Sequence, residues 1–258
     1  MKILFIGDVV SENGINLLRK ALPQLKIQHK PDVTIVNGEN SHKSGTGITE
    51  SEMRDIFACG GDVITGGNHS LRRCDISFYE ENEFVLCPAN FNIANDENCG
   101  VCVVDMGKTQ LCVVSLIGTV FLDANRNPFF EMDKILKKYG NMPIFVDFHA
   151  EATSEKYALG YYLDGKVSAV VGTHTHVQTN DEHIFPNGTA YISDAGCVCA
   201  LDSILGMEKS ACIKKQKYLC PVKFEAKTGA GFVNGVLIEI DDKTHKAVSI
   251  VKIHSMFN

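Results

Sequence analysis

The sequence predicts an α/β fold in which two packed β-sheets carry helices on their outer faces. The first third of the chain alternates short apolar runs with helical patterns, which favours parallel strands with helices on the sheet faces. The middle changes to a hairpin pattern, and the tail adds further strand patterns. Because no linker, low-complexity segment or repeat divides the chain, we expect one domain over residues 1–258.

The first third contains three predicted strands and two predicted helices. Leucine and isoleucine at helical spacing predict a helix over residues 14–29. Thr49, followed three residues later by Glu52, is a capping-box pattern for a second helix that ends near Cys59. Apolar runs predict strands at residues 2–7, 33–36 and 62–65.

The remaining elements are mainly strands. Residues 100–105 and 110–116 read as a hairpin around a glycine-containing turn, and a helix is predicted over 129–139. Further strands are predicted at residues 143–148, 167–171, 189–193, 222–225, 233–240 and 248–253.

Charge and hydropathy exclude several classes of partner. The chain of 258 residues has a formal net charge of -6, which does not attract a nucleic-acid backbone at long range. We therefore expect no stable nucleic-acid partner. A phosphate-bearing substrate would need local positive charge, and a metal site is the simplest source. There is no apolar stretch of membrane-spanning length and no signal-peptide pattern, so we expect a cytoplasmic protein without a membrane partner.

Cysteine is frequent, with 10 residues, and reduced thiols are the expectation in the cytoplasm. The Cys99-x-x-Cys102 spacing is similar to a redox motif. It leads into Val103, however, and not into a helix N-terminus that would lower a thiol pKa. Buried apolar cysteine is therefore the favoured interpretation.

Candidate metal ligands occur repeatedly where a predicted strand stops. In open α/β sheets, ligands bind beyond the carboxyl ends of the strands, so these side chains are expected to converge. Singly, each has an ordinary explanation, such as a turn aspartate or a structural histidine. Together they predict a metal site. The residues are Asp8, Glu39, Asn40, Asn68, His69, His149, His174 and His176.

The donor types indicate the class of metal. Carboxylate, carboxamide and imidazole without thiolate suit Fe, Mn, Zn or similar cations, and a closed structural zinc site would favour cysteine. The donors are too many for one catalytic ion with an open position. Two ions that share a bridging carboxylate fit better, with His174 and His176 serving different ions.

Several blocks of the sequence together resemble the calcineurin-like metallophosphoesterase signature. Glutamate at position 39, where the superfamily usually has aspartate, makes the chain similar to the bacterial YmdB-like family within it, as do residues 147–156 and 171–179. The resemblance covers residues 1 to about 240. The signature blocks are Gly7-Asp8, Gly38-Glu39-Asn40, Gly67-Asn68-His69, His149 and Gly172-Thr173-His174-Thr175-His176.

The resemblance implies a four-layer α/β/β/α sandwich with a metal pair at one edge and iron or manganese as the metals. It implies a phosphodiesterase that acts on 2′,3′-cyclic nucleotides and other small phosphodiesters. One ion would be held by Asp8, Glu39, Asn40 and His176. The other would be held by Glu39, Asn68, His149 and His174, with Glu39 bridging and His69 as the acid beside the substrate.

The chemistry of such a pair is a metal-bridging hydroxide that attacks phosphorus in line with the leaving oxygen. Protonated His69 would donate to the departing alkoxide, and a purely phosphate-binding role for His69 is the alternative. After Asp194-Ala195-Gly196, the family usually continues Met-Thr-Gly, whereas this chain has Cys197-Val198-Cys199. This difference affects the expected shape of the substrate rim and introduces a redox-sensitive pair, but it removes no proposed ligand.

Other functions remain open at this point. A phosphomonoesterase, nucleotidase or protein phosphatase could use the same metals, and a regulatory protein could use the site to signal with weak turnover. A Rossmann-type nucleotide-binding module is disfavoured, because no Gly-x-Gly-x-x-Gly follows the first strand. Exposed sheet edges make a homo-oligomer a further expectation.

Overall fold

A computed structural model of the chain describes residues 1–91, 99–122 and 126–257. Among these residues, no helix is long and apolar enough to cross a bilayer. The helices are α1 (Ser11–His29), α2 (Glu50–Ala58), α3 (Ile76–Glu80), α4 (Pro128–Tyr139), α5 (Thr153–Leu163) and α6 (Lys209–Tyr218). The strands are β1 (Lys2–Ile6), β2 (Asp8–Val9), β3 (Val33–Asn37), β4 (Val63–Thr65), β5 (Val101–Asp105), β6 (Gln110–Ile117), β7 (Ile144–His149), β8 (Ala169–Thr173), β9 (His183–Ile184), β10 (Ala190–Ile192), β11 (Cys197–Ala200), β12 (Gly231–Ile240) and β13 (Ala247–Phe257).

The strands form two sheets. The first sheet has the order β2-β11-β12-β1-β3-β4, and β13 pairs along the other edge of β12. Strands β1, β3 and β4 are parallel, as predicted from the alternation of strands and helices. The second sheet has the order β5-β6-β7-β8-β10-β9, in which β6, β7, β8 and β10 are parallel and the β5–β6 hairpin is antiparallel.

Three apolar cores separate four layers. The central core joins the inner faces of both sheets, for example where the rings of Phe5 and Phe145 lie 5.2 Å apart. A second core packs α1 and α2 on the first sheet through residues such as Leu18 and Ile56. A third packs α4 and α5 on the second sheet through residues such as Leu159. The four-layer α/β/β/α sandwich is therefore confirmed.

The pairing partner changes from β12 at β1 to β11 at β2, which places Asp8 on the last strand of the first sheet. A Cβ atom on Gly7 would lie 1.9 Å from the carbonyl oxygen of Gly196, so only glycine allows this approach of two backbones. The Thr49 capping box is present, with Glu52 accepting from the Thr49 backbone N–H at 3.0 Å. It sets the start of α2 as predicted.

Some sequence predictions were wrong or missing. Residues 222–225 do not form a strand, since this segment has no partner strand and only Ala226 makes an isolated bridge, to Met207. No element was predicted for α3, α5, α6, β9 or β11. The Cys99-x-x-Cys102 cysteines are buried as predicted, and burial raises the pKa of Cys102 to about 12.

Candidate metal centre

The carboxyl ends of strands from both sheets meet at one edge of the sandwich. From the first sheet, Asp8 follows β1, Glu39 and Asn40 follow β3, and Asn68 and His69 follow β4. From the second sheet, His149 ends β7, and His174 and His176 follow β8. The structure thus brings all of the sequence-predicted site residues together.

His149 lies at the centre of one group of donors. Its Nε2 lies 2.9 Å from Asn68 Oδ1, 3.0 Å from His174 Nδ1 and 3.3 Å from Glu39 Oε1. A ring nitrogen carries at most one proton, which cannot satisfy three acceptors at once. Lone pairs that converge in this way are the arrangement that a cation stabilises. Glu39, His149 and His174 also have ligand atoms within 4.8 Å of one another.

Asn40 lies at the centre of a second group. Its Nδ2 lies 2.7 Å from Glu39 Oε1, 3.2 Å from His176 Nε2 and 3.4 Å from Asp8 Oδ1. The two ends of a carboxamide have nearly the same shape, so a 180° rotation would present Oδ1 to the same three atoms. In that orientation the second group, like the first, presents only oxygen and nitrogen atoms that can donate to a metal. The residues present therefore fit two cations, and Glu39 belongs to both groups.

The ionisation of the buried groups shows how strongly they interact. Burial alone would raise the pKa of Glu39, but His149 and His69 outweigh it and hold that pKa well below its usual range. Burial would lower the pKa of His149, but Glu39 and Asp8 raise it to about 9. Burial and the neighbouring His149 lower the pKa of His174 to about 3. The buried carboxylates of Glu39 and Asp8 therefore favour positive charge at this position, which a bound cation would also supply.

Thr173 and Asp147 orient His149 from behind. The Thr173 hydroxyl donates to Asp147 Oδ1 at 2.7 Å, so its oxygen accepts from His149 Nδ1 at 3.0 Å. This fixes one proton on Nδ1, so Nε2 is the nitrogen that would give its lone pair to a cation. No role was predicted for Asp147 or Thr173. A usable signal was present, because positions 147 and 149 alternate to the same face of β7.

The loop that carries the other histidines is held in an unusual backbone conformation. His174 and His176 have φ of 100° and 65°, in the left-handed region that non-glycine residues rarely adopt. Between them, Thr175 donates its N–H and hydroxyl to Asp194 Oδ2 at 2.9 and 2.7 Å. Lys156 pairs with the same oxygen at 3.0 Å, and both side chains of this ion pair are buried. Sequence reasoning assigned no role to this pair.

His174 also has an outward partner. Its Nε2 lies 2.9 Å from Glu151 Oε2, a contact that favours a proton on Nε2 and a lone pair on Nδ1. His174 Nδ1 is the atom that faces His149, so the second imidazole is oriented in the same sense as the first.

His69 is positioned beside the centre and reaches the solvent-accessible cavity next to it. Its backbone N–H donates to Glu39 Oε2 at 2.9 Å, and its Nδ1 lies 3.1 Å from Glu39 Oε1 and 3.0 Å from Asn40 Oδ1. The side chain is 26% exposed and lines the cavity. With Nδ1 engaged, Nε2 is the nitrogen available to a substrate.

Gly67 makes room for the centre. A Cβ atom at this position would lie 2.4 Å from Glu39 Oε2 and 2.5 Å from His149 Nε2. Any side chain would therefore occupy space beside Glu39 and His149 that a cation would use.

Cys197 and Cys199 lie on β11, next to β2, where Cys197 is in register with Asp8. Both are buried, their sulfur atoms are 3.4 Å apart, and they line a smaller cavity together with His176. They do not line the main cavity beside His69. Their effect on a substrate rim and on redox sensitivity stays a prediction.

Residues 4–253 match the family model described as YmdB-like protein. The chain belongs to the YmdB-like family. A curated relative from Bacillus subtilis (strain 168), a 2′,3′-cyclic-nucleotide 2′-phosphodiesterase, is 44% identical over 98% of this chain and 96% of its own length. The crystal structure of a hypothetical protein from Thermus thermophilus superposes with a TM-score of 0.92 at 32% identity, covering 99% of both chains. That of a novel phosphatase from Mycoplasma pneumoniae gives a TM-score of 0.91 at 31% identity, over 99% of this chain and 93% of that one.

These relatives confirm three predictions. The YmdB-like resemblance is correct, the fold is shared with solved structures at 31% and 32% identity, and the chain is an enzyme of the phosphoric diester hydrolase class. Membership of a metallophosphoesterase-type family implies divalent metal ions, and the candidate cluster of Glu39, His149 and His174 agrees with that.

Proposed function

We propose that this protein is a dinuclear-metal-dependent phosphodiesterase that hydrolyses small phosphodiesters, with 2′,3′-cyclic nucleotides as the first substrates to test. The observation that carries the proposal is the position of Glu39, whose Oε1 lies within 3.3 Å of both His149 Nε2 and Asn40 Nδ2. A carboxylate shared by two groups of donors is what a pair of ions requires. The substrate class is supported by the Bacillus subtilis relative.

The two groups divide the ligand roles. We assign Asp8, Glu39, Asn40 and His176 to one ion. We assign Glu39, Asn68, His149 and His174 to the other. Oxygen and imidazole donors without sulfur suit iron or manganese, which we propose as the native metals.

When bound, the two ions would neutralise charge on the phosphate oxygens and supply a water nucleophile near neutral pH. The protein contributes orientation. Thr173 and Glu151 hold the imidazoles of His149 and His174 with their lone pairs inward, and Asp194 holds the loop between His174 and His176. Such positioning means that little reorganisation accompanies the reaction.

His69 serves as the acid in this proposal. Nδ1 donates towards Glu39 Oε1, which leaves Nε2 as the nitrogen that can donate a proton to the departing ribose oxygen in the cavity. General-acid catalysis of this kind contributes about 10²–10⁴-fold. In a 2′,3′-cyclic phosphate the leaving oxygen stays attached to the ribose, so a proton delivered at that position also stops reclosure of the ring.

A phosphomonoesterase with the same residues is the second candidate. The observation that favours it is the likeness to the novel phosphatase of Mycoplasma pneumoniae at 31% identity. The relative rates on a cyclic diester and on the corresponding nucleoside monophosphate separate the two functions.

The setting of the enzyme is also a proposal. None of the ten cysteines, all of which lie in the described part of the chain, forms a disulfide, which supports a reducing cytoplasm as its location. We propose that residues 1–258 act as one domain, because both sheets supply side chains to the same centre. The partner we propose is a small phosphodiester, without a stable nucleic-acid or membrane partner, and a homo-oligomer is the assembly to test.

The test combines elemental analysis with hydrolysis of 2′,3′-cyclic AMP. Wild type, His69→Ala and the control His29→Ala, which changes a histidine at the far end of α1, are compared. We expect about two transition-metal ions per chain in all three, and a loss of kcat of about 10²–10⁴-fold in His69→Ala alone. One ion or none after metal supplementation, together with no turnover of any phosphodiester, would refute the proposal.

A further inference from the structure

The metal centre opens into a cavity whose opposite wall is apolar. The cavity has a volume of about 760 Å³, within the roughly 300–1,000 Å³ range of small-molecule sites. Glu39, Asn40, His69, His174 and His176 line one end. The other end is lined mainly by Ile204, Leu205, Met207, Ile213 and Phe224.

The apolar end belongs to one stretch of chain, residues 201–227, which we call the wall segment. Contacts within the segment hold it together: backbone bridges join Met207 to Ile204 and Ala226, and Lys227 and Glu208 form an ion pair of 3.0 Å. Its apolar side chains are nevertheless open to solvent, with Leu205 46% and Phe224 40% exposed. Exposed apolar side chains gathered on one cavity wall indicate a ligand surface.

The wall segment is also locally basic in an acidic protein. Residues 201–227 carry six lysines against one aspartate and two glutamates, whereas the whole chain has a net charge of -6. Lys215 lines the cavity, and its Nζ lies 5.0 Å from the centroid of the Phe224 ring. Because the Lys215 cation lies over one face of the ring, the opposite face is the one that could take a flat aromatic ligand that bears negative charge elsewhere.

We propose that the wall segment is a nucleobase subsite and that Phe224 is its stacking residue. The base of a nucleotide would lie against Phe224 while its phosphate reaches the metal centre, with Lys215 near the phosphate's path. This assignment rests on the phosphodiesterase function proposed above and deepens it, because it makes the enzyme selective for cyclic phosphates that carry a base. Stacking on an aromatic side chain tolerates any base, so we expect little preference among the four.

The test compares two substrates with the same reacting group, 2′,3′-cyclic AMP and the baseless glycerol 1,2-cyclic phosphate. In the wild type we expect kcat/KM to be at least ten-fold higher for 2′,3′-cyclic AMP. Phe224→Ala should lower kcat/KM about ten-fold for 2′,3′-cyclic AMP and leave glycerol 1,2-cyclic phosphate within two-fold. Phe224→Tyr should retain the preference for the base.

Tyr218→Ala is the matched control. Tyr218 belongs to the same segment, is 62% exposed and has the lysine Lys217 over its ring. The Tyr218 side chain itself does not line the cavity. We expect it to match the wild type on both substrates. Equal losses on both substrates in Phe224→Ala, or no loss on either, would overturn the subsite while the phosphodiesterase function stands.

A second readout needs no metal and no turnover. Saturation-transfer NMR with adenosine should show transfer from the protein to the base protons in the wild type and in Tyr218→Ala, and a loss of at least two-fold in Phe224→Ala. If the metal-loaded wild type hydrolysed neither cyclic phosphate, cyclic phosphates would fail as its substrates, and Phe224-dependent binding of adenosine would still support the subsite. Adenosine transfer that is unchanged in Phe224→Ala overturns it.

Discussion

His149 Nε2 and His174 Nδ1 face each other at 3.0 Å, although they come from the ends of two neighbouring parallel strands. Each ring is held from its other side, His149 by Thr173 and His174 by Glu151. Both outer contacts favour a proton on the outer nitrogen, which turns both inner lone pairs towards the same point. Two unprotonated nitrogens at this distance repel each other, and a cation bound by both would remove that repulsion.

Replacing Glu39, which belongs to both donor groups, is expected to remove more metal than replacing His174, which belongs to one. Glu39→Gln should reduce metal content from about two ions per chain to below one, because Glu39 belongs to both donor groups. His174→Ala should retain about one ion, since His174 belongs to one group only. Elemental analysis after dialysis measures both, with exposed Glu239→Gln as the control. A Glu39→Gln variant with full metal content would contradict the shared role.

The contact behind His149 is expected to matter for metal affinity. Thr173→Val removes the hydroxyl that accepts from His149 Nδ1, and outer-shell changes of this kind typically cost about 10–100-fold in metal affinity or activity. Thr173→Ser should retain most of the affinity. Competition with a chelator measures it.

Thr189→Val is the matched control for Thr173→Val. Thr189 is also fully buried, and its hydroxyl donates to the Val167 carbonyl at 2.6 Å, away from the centre. It should lose stability but keep metal affinity. Equal metal affinity in Thr173→Val and Thr189→Val would show that the Thr173 hydroxyl does not orient His149.

The positions of the ligands could be predicted from the sequence because they depend on strand ends. Each strand near the site is a short apolar run, and parallel strands in one sheet bring their carboxyl ends to one edge. The run that ends before Asp8 and the run that ends at His149 are therefore informative without knowledge of strand order. The residues that orient the ligands were missed, because Asp147 and Thr173 carry no signal until the neighbouring strands β7 and β8 are paired.

The missed elements have physical reasons as well. Helix α5 buries Glu155 and Lys156 beside its apolar residues, so polar and apolar positions do not separate into two faces. Helix α6 buries only Cys212, so its sequence shows no core-facing stripe. Residues 222–225 alternate as a strand would, but no neighbouring strand is available to pair with them.

Gly67 is expected to be intolerant of any side chain. In Gly67→Ala, the methyl group would lie 2.4 Å from Glu39 Oε2 and 2.5 Å from His149 Nε2, both of which are fixed by other contacts. We expect loss of metal binding and at least a 100-fold loss of activity. Gly107→Ala is the control, since nothing lies within 4 Å of its Cβ position and only its φ of 81° opposes alanine, at about 1–2 kcal/mol. Normal metal content in Gly67→Ala would show that no cation uses the space beside Glu39 and His149.

The buried ion pair of Lys156 and Asp194 is expected to stabilise both the fold and the histidine loop. Lys156→Met leaves the Asp194 carboxylate buried with only hydrogen bonds from Thr175 and Gly196, and breaking such a pair costs about 3–5 kcal/mol. Denaturant unfolding of the metal-free protein measures the loss. Arg54→Met, which breaks an exposed pair with Glu50 on α2, should cost less than about 1 kcal/mol.

The double variant Lys156→Met/Asp194→Asn separates charge from packing in this pair. Asparagine keeps an oxygen for Thr175 but carries no charge that requires a partner, so part of the lost free energy of unfolding should return. Metal affinity, unlike the free energy of unfolding, should not recover in the double variant. The affinity for metal should be lower in the double variant than in Lys156→Met. The neutral oxygen of asparagine is a weaker acceptor for the Thr175 N–H, and that contact helps to hold the left-handed φ angles of His174 and His176. Recovery of both stability and metal affinity in the double variant would indicate that the pair stabilises the fold without positioning the loop.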